Sequence, residues 1–134
     1  MNELAACFRF MQLYAHMMHN VCYGDTFMQD HAHFGDLYPA YESAYDGLIE
    51  RMIGLGESPD IIKINKDAFE ELSNYSEASN DDGFKTILDY EKAVCAQVEK
   101  IKDLGSEGTK QMLGDLANQS EIRQYKLNQR LKGE

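Results

Sequence analysis

Four side chains in this sequence are suited to holding a metal ion: His19, His31, Asp46 and Glu50. Imidazole nitrogen and carboxylate oxygen together suit iron, zinc or manganese. Asp46 and Glu50 stand four apart, a spacing that puts both on one face of a helix. His19 and His31 stand twelve apart and flank Tyr23-Gly24-Asp25-Thr26, whose composition marks a turn. A turn there can bring the two imidazoles together.

The acids cannot join the histidines within one chain. Fifteen residues separate His31 from Asp46, and on one helix that is about 22 Å along the axis. Metal–ligand bonds are ~2 Å long, so no single ion spans the gap. If all four residues serve one centre, two chains must supply them. An antiparallel two-fold pairing would set the histidines of one chain against Asp46 and Glu50 of the other, and an isologous contact makes two identical sites. The plainer reading is a solvated Asp/Glu pair and histidines satisfied within a core.

The elements that must position these residues are helical. Leu4, Phe8, Met11, Ala15, Met18 and Cys22 recur in steps of four and three, as one helical face requires. Phe10, Tyr14, Met17 and Val21 form a second stripe, so this first helix is expected to be buried on two sides. Asp25 or Thr26 is the expected cap of the next helix. Its stripe runs Phe27, His31, Phe34, Tyr38, Tyr41, Tyr45, Leu48, Met52, Leu55, and Gly56 stops it. Pro39 lies inside and predicts a kink over residues 35–39, because its ring crowds the carbonyl of Gly35. Pro59 and the run Asp67–Leu72 suggest a short helix. Asn80-Asp81-Asp82-Gly83 caps a third long helix, with Phe84, Ile87, Leu88, Val94, Val98, Ile101 and Leu104 facing inward. Gly105-Ser106-Glu107-Gly108 connects it to a last helix at about 107–131, whose weaker stripe is Leu113, Leu116, Ser120, Leu127, Leu131. The expected fold is all-α: a four-helix bundle in one domain over 1–134, with a short crossover helix between the second and third long helices.

Bulk composition narrows the function classes. The 134 residues carry 23 acids against 13 bases, a net charge of −10, which attracts cations and repels phosphate. DNA binding is therefore not expected. Arg123, Lys126, Arg130 and Lys132 near the C-terminus read as a basic last turn that complements a helix dipole. No apolar run reaches the ~20 residues of a membrane span, and the first residues lack the order of a secretion signal. Cys7, Cys22 and Cys95 have no metal-type spacing and read as thiols of a reducing cytoplasm. His16 and His33 read as bystanders, Tyr38, Tyr41 and Tyr45 as core aromatics, and Glu107 and Asp115 as surface acids.

The stretch His16–Gly56 resembles the DNA-protection-during-starvation (Dps) miniferritins, a branch of the ferritin-like superfamily. The resemblance rests on His19 followed by a Gly-containing turn, His31 twelve residues on, Asp46 fifteen further and Glu50 four beyond, with Phe34, Leu37-Tyr38, Ile49-Glu50-Arg51 and Leu55-Gly56 around them. It implies that His19 and His31 come from one subunit and Asp46 and Glu50 from its two-fold mate. It also implies a ferroxidase: a hollow dodecamer that oxidises Fe(II) with hydrogen peroxide or oxygen and stores ferric mineral, protecting against oxidative stress. The chain departs from the pattern at three points. Gly35 stands where the family usually carries an acid. There is no Trp anywhere, with Tyr125 at the place of the family's late Trp, and the Lys-rich tail of some members is missing. These departures motivate the alternative, a non-catalytic helical assembly protein that keeps the fold with a degraded metal site.

Overall fold

The computed structural model describes residues 1–132. The chain forms α1 (Asn2–Val21), α2 (Phe27–Gly54), a short α3 (Ile61–Leu72), α4 (Asn80–Ile101) and α5 (Glu107–Leu131), with one 3-10 turn at Lys102–Leu104. Among the described residues there is no strand. Four long helices with a short one between the second and third are the expected element order. Two compact units emerge, one of Met1–Gly83 and one from Phe84 on. The single domain expected over 1–134 ends on Gly133 and Glu134, which lie outside the described residues.

In the first unit, α1 packs on both α2 and α3. Leu4, Phe8, Met11, Ala15 and Met18 are buried, and so are Phe10 and Tyr14 of the second stripe. Met17 and Val21 are half-buried, so the second contact fades toward the end of the helix. On α2, Phe34, Tyr41, Tyr45, Leu48 and Met52 are buried. Phe8 meets Tyr41 at 6.2 Å between ring centroids. Each such buried aromatic or leucine contributes roughly 1.5–3 kcal/mol. A polar strip borders this core: Gln12 donates to Glu42 at 2.7 Å, Arg9 to Gln12 at 2.8 Å, and the Arg9 guanidinium lies 3.7 Å over the Tyr45 ring.

α2 runs on through Pro39. Proline has no N–H, so the Gly35 carbonyl lacks its amide partner four residues on. The helix ends by a Schellman motif. Gly56 takes φ +85, its amide donates to the Ile53 carbonyl, and Glu57 donates back to Met52. Leu55 therefore falls outside the helix and is 47% exposed, contrary to its place in the stripe. α3 begins after Asp60, whose carboxylate accepts from the Lys63 amide at 3.0 Å. α4 is capped one residue earlier than expected. The Ser79 hydroxyl accepts from the Asp82 amide and the Ser79 carbonyl from Gly83. That leaves the Asn80 side chain for another task.

In the second unit, Phe84, Ile87, Val94, Val98, Leu113 and Leu127 are buried as expected. Leu104 is not, being 83% exposed. The backbone tightens after Ile101 to three residues per turn, which rotates Leu104 off the apolar face. Buried Glu91 accepts from Arg123 Nε and Nη2 at 2.5 and 3.1 Å, and Arg130 lies over the Phe84 ring at 5.2 Å. Two of the four basic residues near the C-terminus are thus engaged inside the fold.

Candidate metal centre

The end of α1 and the start of α2 form a short hairpin of helices. Gly24, at φ +94, supplies the left-handed turn that a side chain would resist. Phe27 donates to the Gly24 carbonyl and Asp30 to the Thr26 carbonyl, which starts α2. Met18 points into the core, and the next residue, His19, faces α2.

His19 and His31 meet there. Their rings stack at 3.8 Å between centroids, with 18° between planes. Nδ1 of His19 donates to the His31 carbonyl at 2.8 Å, and Nδ1 of His31 donates to the His19 carbonyl at 2.7 Å. A carbonyl oxygen only accepts, so both Nδ1 atoms carry the proton. That tautomer leaves a lone pair on each Nε2, the form in which imidazole binds a metal. The ring planes are nearly parallel, so they do not meet within a metal–nitrogen bond length of ~2 Å. In this arrangement the two imidazoles would each offer a lone pair to a separate ion. Phe27 stacks on His31 at 4.9 Å, and on the other flank Tyr38 lies 5.5 Å from His19.

Asp46 and Glu50 lie at the other end of the same unbroken α2, and both are exposed. Among the described residues neither makes a hydrogen bond or ion pair, and no three His, Cys, Asp or Glu side chains gather within one chain. The structure therefore brings His19 and His31 together and leaves Asp46 and Glu50 apart from them. His16 is exposed and stacks on Tyr38 at 4.1 Å and 3°. Tyr41 and Tyr45 are core residues, Tyr125 is exposed, and so are Glu107 and Asp115.

Beside His31 lies a buried carboxylate outside the four candidate ligands. Asp30 is 1% exposed. It accepts from the Thr26 hydroxyl at 2.6 Å and from the Asn80 side-chain amide at 2.9 Å. Asn80 also clasps Tyr23, donating to its carbonyl and accepting from its amide. Thr26 precedes Asp30 by one helical turn, and that spacing is the only signal in the sequence for the cluster. Burial, and then the charge of Asp30, push the Cys22 thiol above its ordinary range. Among the described residues all three cysteines are free thiols, and no helix is long and apolar enough to cross a membrane.

Comparison with known proteins places this architecture. The chain matches the ferritin family, described as a ferritin-like domain, over residues 1–133, and it belongs to that family. Its fold is that of the Dps proteins. The X-ray structure of Dps from Thermosynechococcus elongatus superposes with a TM-score of 0.84 at 19% identity, covering 96% of this chain and 85% of that one. The structure of Dps from Listeria innocua soaked with zinc gives a TM-score of 0.83 at 19% identity, covering 98% of this chain and 92% of that one. No curated protein matches the chain.

Proposed function

We propose that this protein is an iron-oxidising miniferritin of a single ferritin-like domain, working as a homo-oligomer in a reducing cytoplasm. The reading rests above all on the reciprocal His19–His31 pair, whose two Nδ1 bonds leave a lone pair on each Nε2 for a metal. Asp46 and Glu50 of a two-fold mate would complete the centre. Their exposure on one face of α2 supports this, as does the ~22 Å that separates them from their own chain's histidines. Iron is the substrate, with zinc or manganese as substitutes. Two adjacent Fe(II) ions give one electron each to hydrogen peroxide, which takes two protons and leaves as two waters; oxygen is the other candidate oxidant. The net charge of −10 draws the cation in. Twelve chains of 15.3 kDa would form a closed shell of about 180 kDa that stores the ferric product.

Subunit complementation tests the reading. One variant carries His19→Ala with His31→Ala, the other Asp46→Ala with Glu50→Ala. Each alone should fail to oxidise Fe(II) with peroxide. Subunits mixed at random form one-half mixed dimers, each with one intact site of two, so about a quarter of wild-type activity should return. Wild-type rates in either variant, no recovery on mixing, or a solution mass of one chain would each exclude the proposal.

A further inference from the structure

Gly35 bears on how the imidazole pair is held. It lies one turn after His31 on α2, with α1 passing close by. A Cβ at Gly35 would sit 3.0 Å from His19 Cε1 and 3.1 Å from its Nδ1. Contacts that short require the neighbour to give way by a few tenths of an ångström. The His19 ring has little freedom to do so. Its Nδ1 is tied to the His31 carbonyl at 2.8 Å, and its face lies on His31 at 3.8 Å. Gly83 makes the contrast clear: a Cβ there would meet Met18 Cε at 2.7 Å, but that is the free end of a flexible thioether. At Gly54 and Gly114 a Cβ would meet nothing within 4 Å.

We propose that Gly35 is a positioning residue for His19: its missing side chain is the space into which the imidazole tips to lie face to face on His31. A side chain at this position displaces the ring, breaks the bond from Nδ1 to the His31 carbonyl and turns the two ring planes out of parallel. An acid at position 35 and the stacked pair exclude each other in this chain. Gly35 thereby sets how many ions the histidines address. Parallel rings take one each, while splayed rings can converge on one. This last consequence rests on the metal reading above, whereas the packing claim does not.

The packing claim is tested on the metal-free protein by a double-mutant cycle. Alanine is a better helix former than glycine, so Gly114→Ala, the control, should raise Tm. Gly35→Ala should lower it by a few degrees. In a His19→Ala background the sign should reverse, with Gly35→Ala now raising Tm. This arm also covers the case in which Gly35→Ala alone does not fold. In imidazole nitrogen NMR, wild type should show two hydrogen-bonded Nδ1–H signals, and Gly35→Ala should lose that of His19. With Zn(II) as the titrant, wild type should bind two ions per chain and Gly35→Ala one. Unchanged Nδ1–H signals in Gly35→Ala, or no sign reversal in the cycle, would overturn the proposal. The predicted NMR and Tm pattern in a wild-type protein that binds no Zn(II) would instead exclude the metal reading and leave Gly35 in its role.

Discussion

The two ends of α2 are built on opposite principles. At its start, His31 is fixed from three sides: Nδ1 on a carbonyl of α1, one face on His19 and Phe27 stacked alongside. At its far end, Asp46 and Glu50 stand exposed, and among the described residues nothing holds them. The nitrogen half of the proposed centre is complete within one chain, and the oxygen half waits for a second chain. Metal affinity should therefore be linked to assembly, since a ligand that binds only the paired state favours pairing by mass action.

The largest expected effects fall equally on both ends. Replacing His31 or Glu50 by alanine should each cut peroxide-driven Fe(II) oxidation by more than the ~10–100-fold typical for loss of an outer-shell partner. Stopped-flow absorbance reads this. Wild-type activity in both would erase the comparison, and loss at one end alone would confine the chemistry to that end.

Stability should then separate what activity does not. His31→Ala removes a hydrogen bond and leaves the His19 carbonyl to the weak Cys22 thiol at 3.7 Å, at about 1–3 kcal/mol. Asp46→Asn and Glu50→Gln, on an open face, should stay within about 0.5 kcal/mol in the metal-free protein. Denaturant melts of the three variants measure the difference, and equal losses would show that the acid end is held as firmly as the histidine end.

The support beneath His31 can be probed next. Asn80→Ala takes one donor from the buried Asp30 carboxylate and unties Tyr23. It should cost about 1–2 kcal/mol and speed amide exchange through the Tyr23–Thr26 turn. The smallest effect concerns pH. The Cys22 thiol titrates above its ordinary value of 9.0, chiefly through burial. The folded state therefore holds that proton longer than the unfolded chain does. Its contribution is full below pH 9 and drains away as pH rises through the folded value. Wild type should lose slightly more stability than Cys22→Ala in alkaline melts, and parallel curves would remove Cys22 from the account.

How much of this was legible in the sequence follows from what each feature depends on. Periodicity marked α1 and α2 because Phe8, Met11, Phe34 and Tyr41 repeat on a face that local geometry alone defines. Capping was harder: Ser79 and Asn80 are neighbouring short polar residues, and only the distant Tyr23 and Asp30 show that Asn80 is occupied elsewhere. Leu104 kept its phase on paper but lost it when the helix tightened. The spacing of His19 and His31 suggested their meeting, but the stacked geometry depends on two backbone carbonyls that carry no sequence label. Gly35 reads as a missing acid. Its steric role arises from His19, sixteen positions upstream, and becomes visible only when the two helices are laid together.

The paired bonds between His19 and His31 have a consequence for how the hairpin tolerates change. Each ring grips the main chain of the other residue, so sliding one helix along the other by a single residue would release both grips at once. The pair therefore acts as a register pin, and the turn at Tyr23–Thr26 is relieved of fixing the alignment. Extra residues threaded into that exposed connection should lengthen the loop outward while the pinned helices keep their alignment.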